Sequence, residues 1–276
     1  MNMKLSIITI NFNNLEGLKK TAESVINQTW KEFEWIIIDG GSTDGSKEYI
    51  VKLNDDLTRN GWNPIAYWCS EPDKGIYNAM NKGIGKAQGE YLNFMNSGDC
   101  YYENSILEKV INYPKLFQAD VYIGNTVNIN NGIETRINDV SNENLDMFHF
   151  INSGIPHQAT FYNKKMFDVF GLFDENLKIV SDWKHAILML YFGKTKMKYI
   201  PYNICINQDG GISSNPAANK ERYEVLDTLF HPVIREEMLK LHYYKEEIEY
   251  VNNYKLSRMM YVFSHKLSTL MKRLGL

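Results

Sequence analysis

The first hundred residues alternate short apolar runs with stretches of helical spacing, and nothing else in the sequence narrows the fold as far. Lys4–Ile10, Glu34–Asp39, Ile65–Cys69 and Tyr91–Met95 read as strands. Leu15–Asn27 places Leu15, Leu18, Ala22, Val25 and Ile26 on one helical face. Further helices are expected from Ser46, with Tyr49, Ile50 and Leu53 inward, over Tyr77–Ala87 and over Asn104–Phe117. The second strand is almost wholly apolar, as in a sheet covered on both faces. Strands alternating with helices argue for an α/β fold, a mostly parallel central sheet flanked by helices. In such sheets ligands sit beyond the carboxyl ends of the strands. The turns at those ends are therefore where chemistry is sought.

Two of these turns carry acids. Ile38-Asp39-Gly40-Gly41-Ser42-Thr43-Asp44-Gly45 follows the second strand, setting a carboxylate and exposed backbone N–H groups on the sheet edge. A carboxylate there can accept from a base or a ribose hydroxyl. The same residues also suit a plain turn feeding a helix, with Asp44 facing the helix dipole. Tyr91-Leu92-Asn93-Phe94-Met95-Asn96-Ser97-Gly98-Asp99 repeats the arrangement. A hard divalent cation bound to phosphates takes only one or two protein carboxylates, and Asp99 suits that role. Two acid-bearing turns on one edge favour a phosphate and metal site over two ordinary turns.

The rest of the chain is less regular. Asp120 to about Ile137 reads as β-like segments broken by Asn and Gly, and 138–152 as a polar loop. Thr160–Asn163 is a strand, and Ser181–Phe192 a helix with Ser181 near its N-cap. After about Pro216 the chain is helical and charged. Cys69, Cys100 and Cys205 are widely spaced and form no CxxC pair, which argues against a disulfide framework or zinc site and for a reducing cytosol. Met1–Ile10 reads as a first strand and not a signal peptide, and no apolar run reaches the ~18 residues of a membrane span. A net charge of −3 gives no reason to expect nucleic acid.

The N-terminal half resembles family 2 glycosyltransferases of the GT-A fold, especially members from bacterial polysaccharide assembly. Four pieces carry the likeness. Ser6-Ile7-Ile8-Thr9-Ile10-Asn11-Phe12-Asn13 is similar to the first-strand signature, and Asp39 to Asp44 to the acid-Gly-Ser-Thr-Asp turn. Ser70 to Gly83 (SEPDKGIYNAMNKG) resembles a subgroup's donor-site segment, and Asn96 to Asp99 stands where the aspartate-rich metal motif lies. The likeness is strong over about residues 4–107 and looser over about 153–213. It implies a GT-A domain over 1–215, with a nucleotide-sugar half to about residue 125 and an acceptor half after it. A helical extension would then cover 216–276.

The resemblance also implies roles. Thr9 and Asn11 would line the base pocket, and Asp39 would bind the base, usually uracil, of a UDP-linked donor. Asp73 and Lys74 would lie near ribose and diphosphate, with Asn96 beside them. Asp99 would hold Mn²⁺ or Mg²⁺ bridging the diphosphate. Asn96 and Gly98 depart from the family pattern, in which acids are common there, and Gly40 replaces a frequent second acid. In Val180-Ser181-Asp182-Trp183, Asp182 matches the base that deprotonates the acceptor hydroxyl, with Trp183 as a sugar-stacking platform. His157, in Pro156-His157-Gln158, would contact acceptor or diphosphate. Asp209-Gly210-Gly211-Ile212-Ser213 resembles a segment closing over the donor.

After Glu249 the chain carries no acid, and Lys255, Arg258, Lys266, Lys272 and Arg273 interleave with Leu256, Met259, Met260, Phe263, Leu267, Leu270 and Met271. That composition suits an interfacial helix on anionic lipid. It equally suits packing on the catalytic domain or on a second copy in a homodimer. The expected function is an inverting, metal-dependent sugar transfer to a saccharide or lipid-linked acceptor in bacterial polysaccharide or glycolipid assembly. The expected setting is the cytoplasm, with peripheral contact at the inner membrane face. Two rivals stand beside it. A nucleotidyltransferase would want a glycine-rich, basic loop after the first strand, where Asn11-Phe12-Asn13-Asn14 has neither. A nucleotide-sugar-binding scaffold with decayed catalysis would fit Asn96 and Gly98, but not an intact Asp99 and Asp182.

Overall fold

A computed structural model of the chain describes residues 5–113, 118–130, 133–138, 154–207 and 217–237, with Lys240, Tyr244, His265, Lys266 and Met271. It forms two compact units, 1–221 and 222–276. The segments 139–153 and 208–216, including Asp209–Ser213, lie outside the described residues. So does nearly all of the basic, apolar-striped stretch after Glu249.

Strands β1 (Leu5–Asn11), β2 (Phe33–Asp39), β3 (Ile65–Ser70) and β4 (Tyr91–Phe94) form the parallel part of the sheet, in the order β3-β2-β1-β4. Helices α1 (Leu15–Ile26), α2 (Ser46–Arg59) and α3 (Ile76–Lys86) connect them. Each strand is apolar on both faces, so each face needs a cover. Ile7, Trp35 and Ile37 pack with Leu18, Ala22 and Val25 of α1 and Ile50 and Leu57 of α2. Ile8, Ile36 and Ile38 meet Tyr77, Met80 and Ile84 of α3 on the other face. The helix expected over Asn104–Phe117 is shorter, α4 (Ile106–Ile111), and sends Ile106, Leu107 and Val110 into the first of these layers.

Beyond β4 the sheet turns mixed. Strand β8 (Thr160–Asn163) runs antiparallel to both β4 and β6 (Val121–Asn130). The remaining partners of β6 are β7 (Ile133–Asn138), antiparallel, and β9 (Met197–Asn207), parallel; β9 also pairs with the two-residue β5 (Cys100–Tyr101). Strand β9 has no counterpart in the sequence reading. Pro201 interrupts its alternation, and a proline inside an apolar run argues against a strand. The short α5 (Lys165–Phe170) is likewise new. The helix expected from Ser181 is present as α6 (Ser181–Ile187), but it passes into a π-helical turn over Leu188–Phe192. Val180 is its N-cap, and Ser181 is its first helical residue. Helix α7 spans Ala217–Leu229.

Register places the chemistry. Asn11 is the partner of Asp39, and Asp39 of Ser70, so three polar side chains end three adjacent strands on one carboxyl edge.

Candidate active site

Asp39 is fully buried and accepts four hydrogen bonds. One oxygen takes Asn11 Nδ2 at 2.7 Å and Ser42 Oγ at 2.5 Å; the other takes the Ser42 amide at 3.0 Å and Ser70 Oγ at 2.6 Å. Burial alone would raise its pKa, but the bonds from Ser42, Ser70 and Asn11 outweigh it and hold the carboxyl below its ordinary value. Asn11 presents a buried Oδ1 with no partner. Beside it Phe12 stands 64% exposed on the same strand end, an apolar face that sequence reading passed over. Asn13, in the left-handed region at φ 48°, ties the loop after β1 to the loop after β2 through Ser42 Oγ and the Thr43 amide. Asp44 takes the Leu15 amide and both the amide and hydroxyl of Ser46, so it fastens the starts of α1 and α2.

Asp73 follows β3 half-buried, with Oδ1 accepting the Gly75 amide at 2.9 Å and Oδ2 against Gly40. Lys74 is exposed beside it.

The Asn96–Asp99 turn continues from β4 along the end of β1, through the Met95 amide to Ile8 O and the Ser97 amide to Ile10 O. Thr21 of α1 braces it by donating to Asp99 O at 2.7 Å and accepting the Gly98 amide at 2.9 Å. Gly98 has φ +107°, a conformation that side chains resist, so the turn itself accounts for glycine there. The Asp99 carboxylate accepts Gln158 Nε2 at 3.1 Å, and burial pushes its pKa up to about 6 against that bond. Asn96 Oδ1 is buried without a partner. A half-buried carboxylate and an orphaned carbonyl oxygen on one turn are hard oxygen donors that fit a divalent cation keeping most of its shell from water and phosphate. Among the described residues no group of three or more His, Cys, Asp or Glu gathers to cage a metal outright.

Asp182 is the second residue of α6 and half-buried, where its charge faces the helix N-terminus. Tyr77 Oη lies 2.9 Å from Asp182 Oδ1 and 2.6 Å from Ile179 O. The segment before α6 is held by Glu221, whose carboxylate accepts the amides of Lys178, Ile179 and Val180 at 2.7, 2.8 and 3.0 Å.

Three of the expected site residues are buried. Thr9 is fully buried, donating to Met95 O at 2.8 Å and accepting Trp35 Nε1 at 2.9 Å. Trp183 is 4% exposed, with Gly154 close against its indole. His157 is 6% exposed and stacks on Phe94 at 4.6 Å, with Nδ1 3.3 Å from Tyr162 Oη. Burial lowers its pKa, Asp182 opposing, which favours a neutral ring inside the aromatic cluster of Phe94, Tyr162 and Phe173. Asn11, Asp39, Asp73, Asn96 and Asp99 lie at or just after the carboxyl ends of β1 to β4, and Asp182 contacts the helix that follows Asp73 through Tyr77. Sequence reading missed Tyr77, Gln158 and Glu221, whose partners lie 105, 59 and about 42 positions away.

A half-parallel sheet with acids on its carboxyl edge is an arrangement that binds ligands beyond the strand ends, and here it takes the GT-A form. Solved structures share the fold. TarS of S. aureus in complex with UDP-GlcNAc aligns with a TM-score of 0.64 at 18% identity, covering 86% of this chain and 70% of that one. GalNAc-T7 with UDP, GalNAc and Mn²⁺ aligns at 0.59 and 16%, covering 82% and 48%. The model for glycosyl transferase family 2 matches residues 6–172, more than half of the chain, and the chain belongs to that family. An uncharacterized glycosyltransferase of Mycobacterium tuberculosis is 32% identical over 189 residues, 64% of this chain. The match spans 65% of that relative's length. A PGL/p-HBAD biosynthesis glycosyltransferase of Mycobacterium bovis is 27% identical over 217 residues, 78% of this chain and 81% of that one.

Proposed function

We propose that the chain moves a sugar from a UDP-linked donor to a saccharide or lipid-linked acceptor, with inversion at the anomeric carbon. The observation that carries this reading is the half-buried Asp182 carboxylate at a helix N-terminus, tied to the helix that follows Asp73. The UDP and UDP-GlcNAc held by neighbours of the same fold support the donor class. The name of the PGL/p-HBAD relative supports an acceptor in a biosynthetic assembly pathway.

The base would stack on the exposed face of Phe12, with the free Asn11 Oδ1 to accept a base N–H. Asp39 already has four donors, so its part is to hold Asn11 and the Ser42 turn in place as much as to touch the nucleotide. Asp73 would accept from ribose hydroxyls, and the Lys74 ammonium would face the diphosphate. Asp99, with Asn96 Oδ1, would hold Mn²⁺ or Mg²⁺, which when bound supplies positive charge to the leaving diphosphate. Asp182 would take the proton of the acceptor hydroxyl as that oxygen attacks the anomeric carbon, and the bond to the diphosphate breaks on the opposite face. One displacement inverts the centre.

Among the described residues no helix is long and apolar enough to cross a membrane. A cytoplasmic enzyme resting on the inner membrane face through its C-terminal stretch is the setting we propose. The test is a panel of nucleotide sugars assayed for binding and cation-dependent hydrolysis. Cation-dependent turnover of a UDP-sugar is the expected result; binding without any turnover would leave a scaffold.

A further inference from the structure

The segment SEPDKGIYNAMNKG carries more polar side chains than a donor site alone needs, and those of its second half point elsewhere. From α3, Asn81 Nδ2 donates to Phe173 O at 2.9 Å while its Oδ1 accepts the Phe173 amide at 3.0 Å. Asn81 and Asn78 each donate to the Glu175 carboxylate, at 3.0 and 2.9 Å. Tyr77 Oη reaches Ile179 O and Asp182 Oδ1. Residues 77, 78 and 81 lie on one side of the helix, and all three grip the stretch 173–182. We propose that this face of α3 is a positioning device for the candidate base, with Tyr77 as its central residue. The inference rests on the role proposed above for Asp182.

The two acceptors of Tyr77 compete for one proton, and that gives the residue a specific use. A hydroxyl both donates and accepts. While Asp182 is ionised, Tyr77 donates to it and fixes its rotamer. Once Asp182 has taken the acceptor's proton on its other oxygen, Oδ1 still accepts from Tyr77, so the rotamer is held through the transfer. Both protonation states of Asp182 thus keep the Tyr77 hydroxyl as a partner. Burial, reinforced by the neighbouring Asp182, pushes the Tyr77 phenol well above its ordinary range, so it stays protonated and able to donate. Its ring is anchored beside Phe173, with centroids 5.7 Å apart. Because Asp73 and Lys74 immediately precede α3, the same short segment would set both donor and base.

The test is a kinetic cycle of Tyr77→Phe and Asp182→Ala, with donor affinity by calorimetry and melting by circular dichroism. A hydrogen bond to a charged group is worth a factor of about 10–100. Tyr77→Phe should therefore lower kcat about 10–100-fold, change donor affinity less than about twofold, and have no further effect in the Asp182→Ala background. Equal losses in both backgrounds, or a Tyr77→Phe kcat near wild type, would overturn the proposal while leaving the base assignment standing. A wild-type rate for Asp182→Ala would overturn both. Should Tyr77→Phe fail to fold, Asn78→Ala removes one bond of the same grip from a half-buried position. Its kcat loss must likewise vanish without Asp182, and persistence of that loss sinks the idea.

Discussion

The Asp73 carboxylate occupies the space that a side chain at Gly40 would need: a Cβ there would lie 2.6 Å from Asp73 Oδ2 and 3.2 Å from the Phe12 ring. The family resemblance implies a second acid after Asp39; Gly40 stands there, and the Asp73 carboxylate from the loop after β3 lies against it. Each residue of the pair explains the other.

Gly40→Ala should therefore weaken UDP binding about tenfold, since forcing a methyl into a filled site costs about 1–3 kcal/mol and here displaces Asp73 and Phe12 together. The same substitution in an Asp73→Ala background should cost almost nothing. Calorimetry on the four proteins measures the coupling, and additive losses would show that the two positions act separately.

Asp39→Asn is expected to act on the fold before it acts on the nucleotide. An amide nitrogen cannot accept from the donors that converge on one carboxylate oxygen, so stability should fall by about 2 kcal/mol, or about 4–8 °C in melting temperature. The pH dependence follows from the depressed pKa of Asp39. Its contribution is present above the unfolded carboxylate pKa and is lost as pH falls through the lower folded value. The variant should thus converge with wild type only in strong acid. Thermal melts across pH report it.

Asp99 behaves with the opposite sign. Burial raises its pKa from 3.8 to about 6, so the cation-free fold is most favoured with Asp99 protonated, below pH 3.8. That contribution fades as pH rises through about 6. Asp99→Asn should remove this slope and so gain on wild type between pH 4 and 7 without cation. Cation affinity of the wild type should run the other way, weak below pH 6 and level above it, because the cation must displace a proton. Asp99→Ala should abolish cation-dependent nucleotide-diphosphate binding. Titrations with Mn²⁺ at several pH values test the wild type and both variants.

The elements that can be read from the sequence are those whose burial is written locally. Strands β1, β2 and β4 are apolar runs between turns, and α1 and α3 repeat at helical spacing. Asp39, Asp99 and Asp182 stand out in the sequence because each ends a strand or opens a helix, a place that a plain turn or a helix dipole also favours for an acid. The burial of Thr9 and Trp183 is not legible, because position in a motif says nothing about which way a side chain turns. Thr9 lies one strand repeat before Asn11 on the same face, but deeper, under the Trp35 indole that needs an acceptor. Trp183 is one helical step from Asp182 and so turns into the core. The pairings of Tyr77 with Asp182 and of Gly40 with Asp73 join distant loops, and no periodicity encodes which loops meet.

The Asp182 assignment makes the most demanding prediction, because it ties one residue to a stereochemical outcome. A sugar hydroxyl is a weak nucleophile, and a carboxylate placed to accept its proton contributes typically about 10²–10⁴-fold. With a single base on the acceptor side and the diphosphate leaving from the opposite face, the anomeric carbon passes through one displacement. An α-linked UDP-sugar should then give a β-linked product. Asp182→Asn preserves shape and can still accept from Tyr77, but its amide cannot take a proton from the acceptor. Turnover should fall at least about a hundredfold while donor affinity stays within about twofold, since the loss lies in the transition state and not in ground-state binding. The anomeric coupling in the proton NMR spectrum of the product, read beside calorimetry of the variant, decides both parts. Retained configuration would require a nucleophile that attacks the sugar first, and a near wild-type rate for Asp182→Asn would place the base elsewhere.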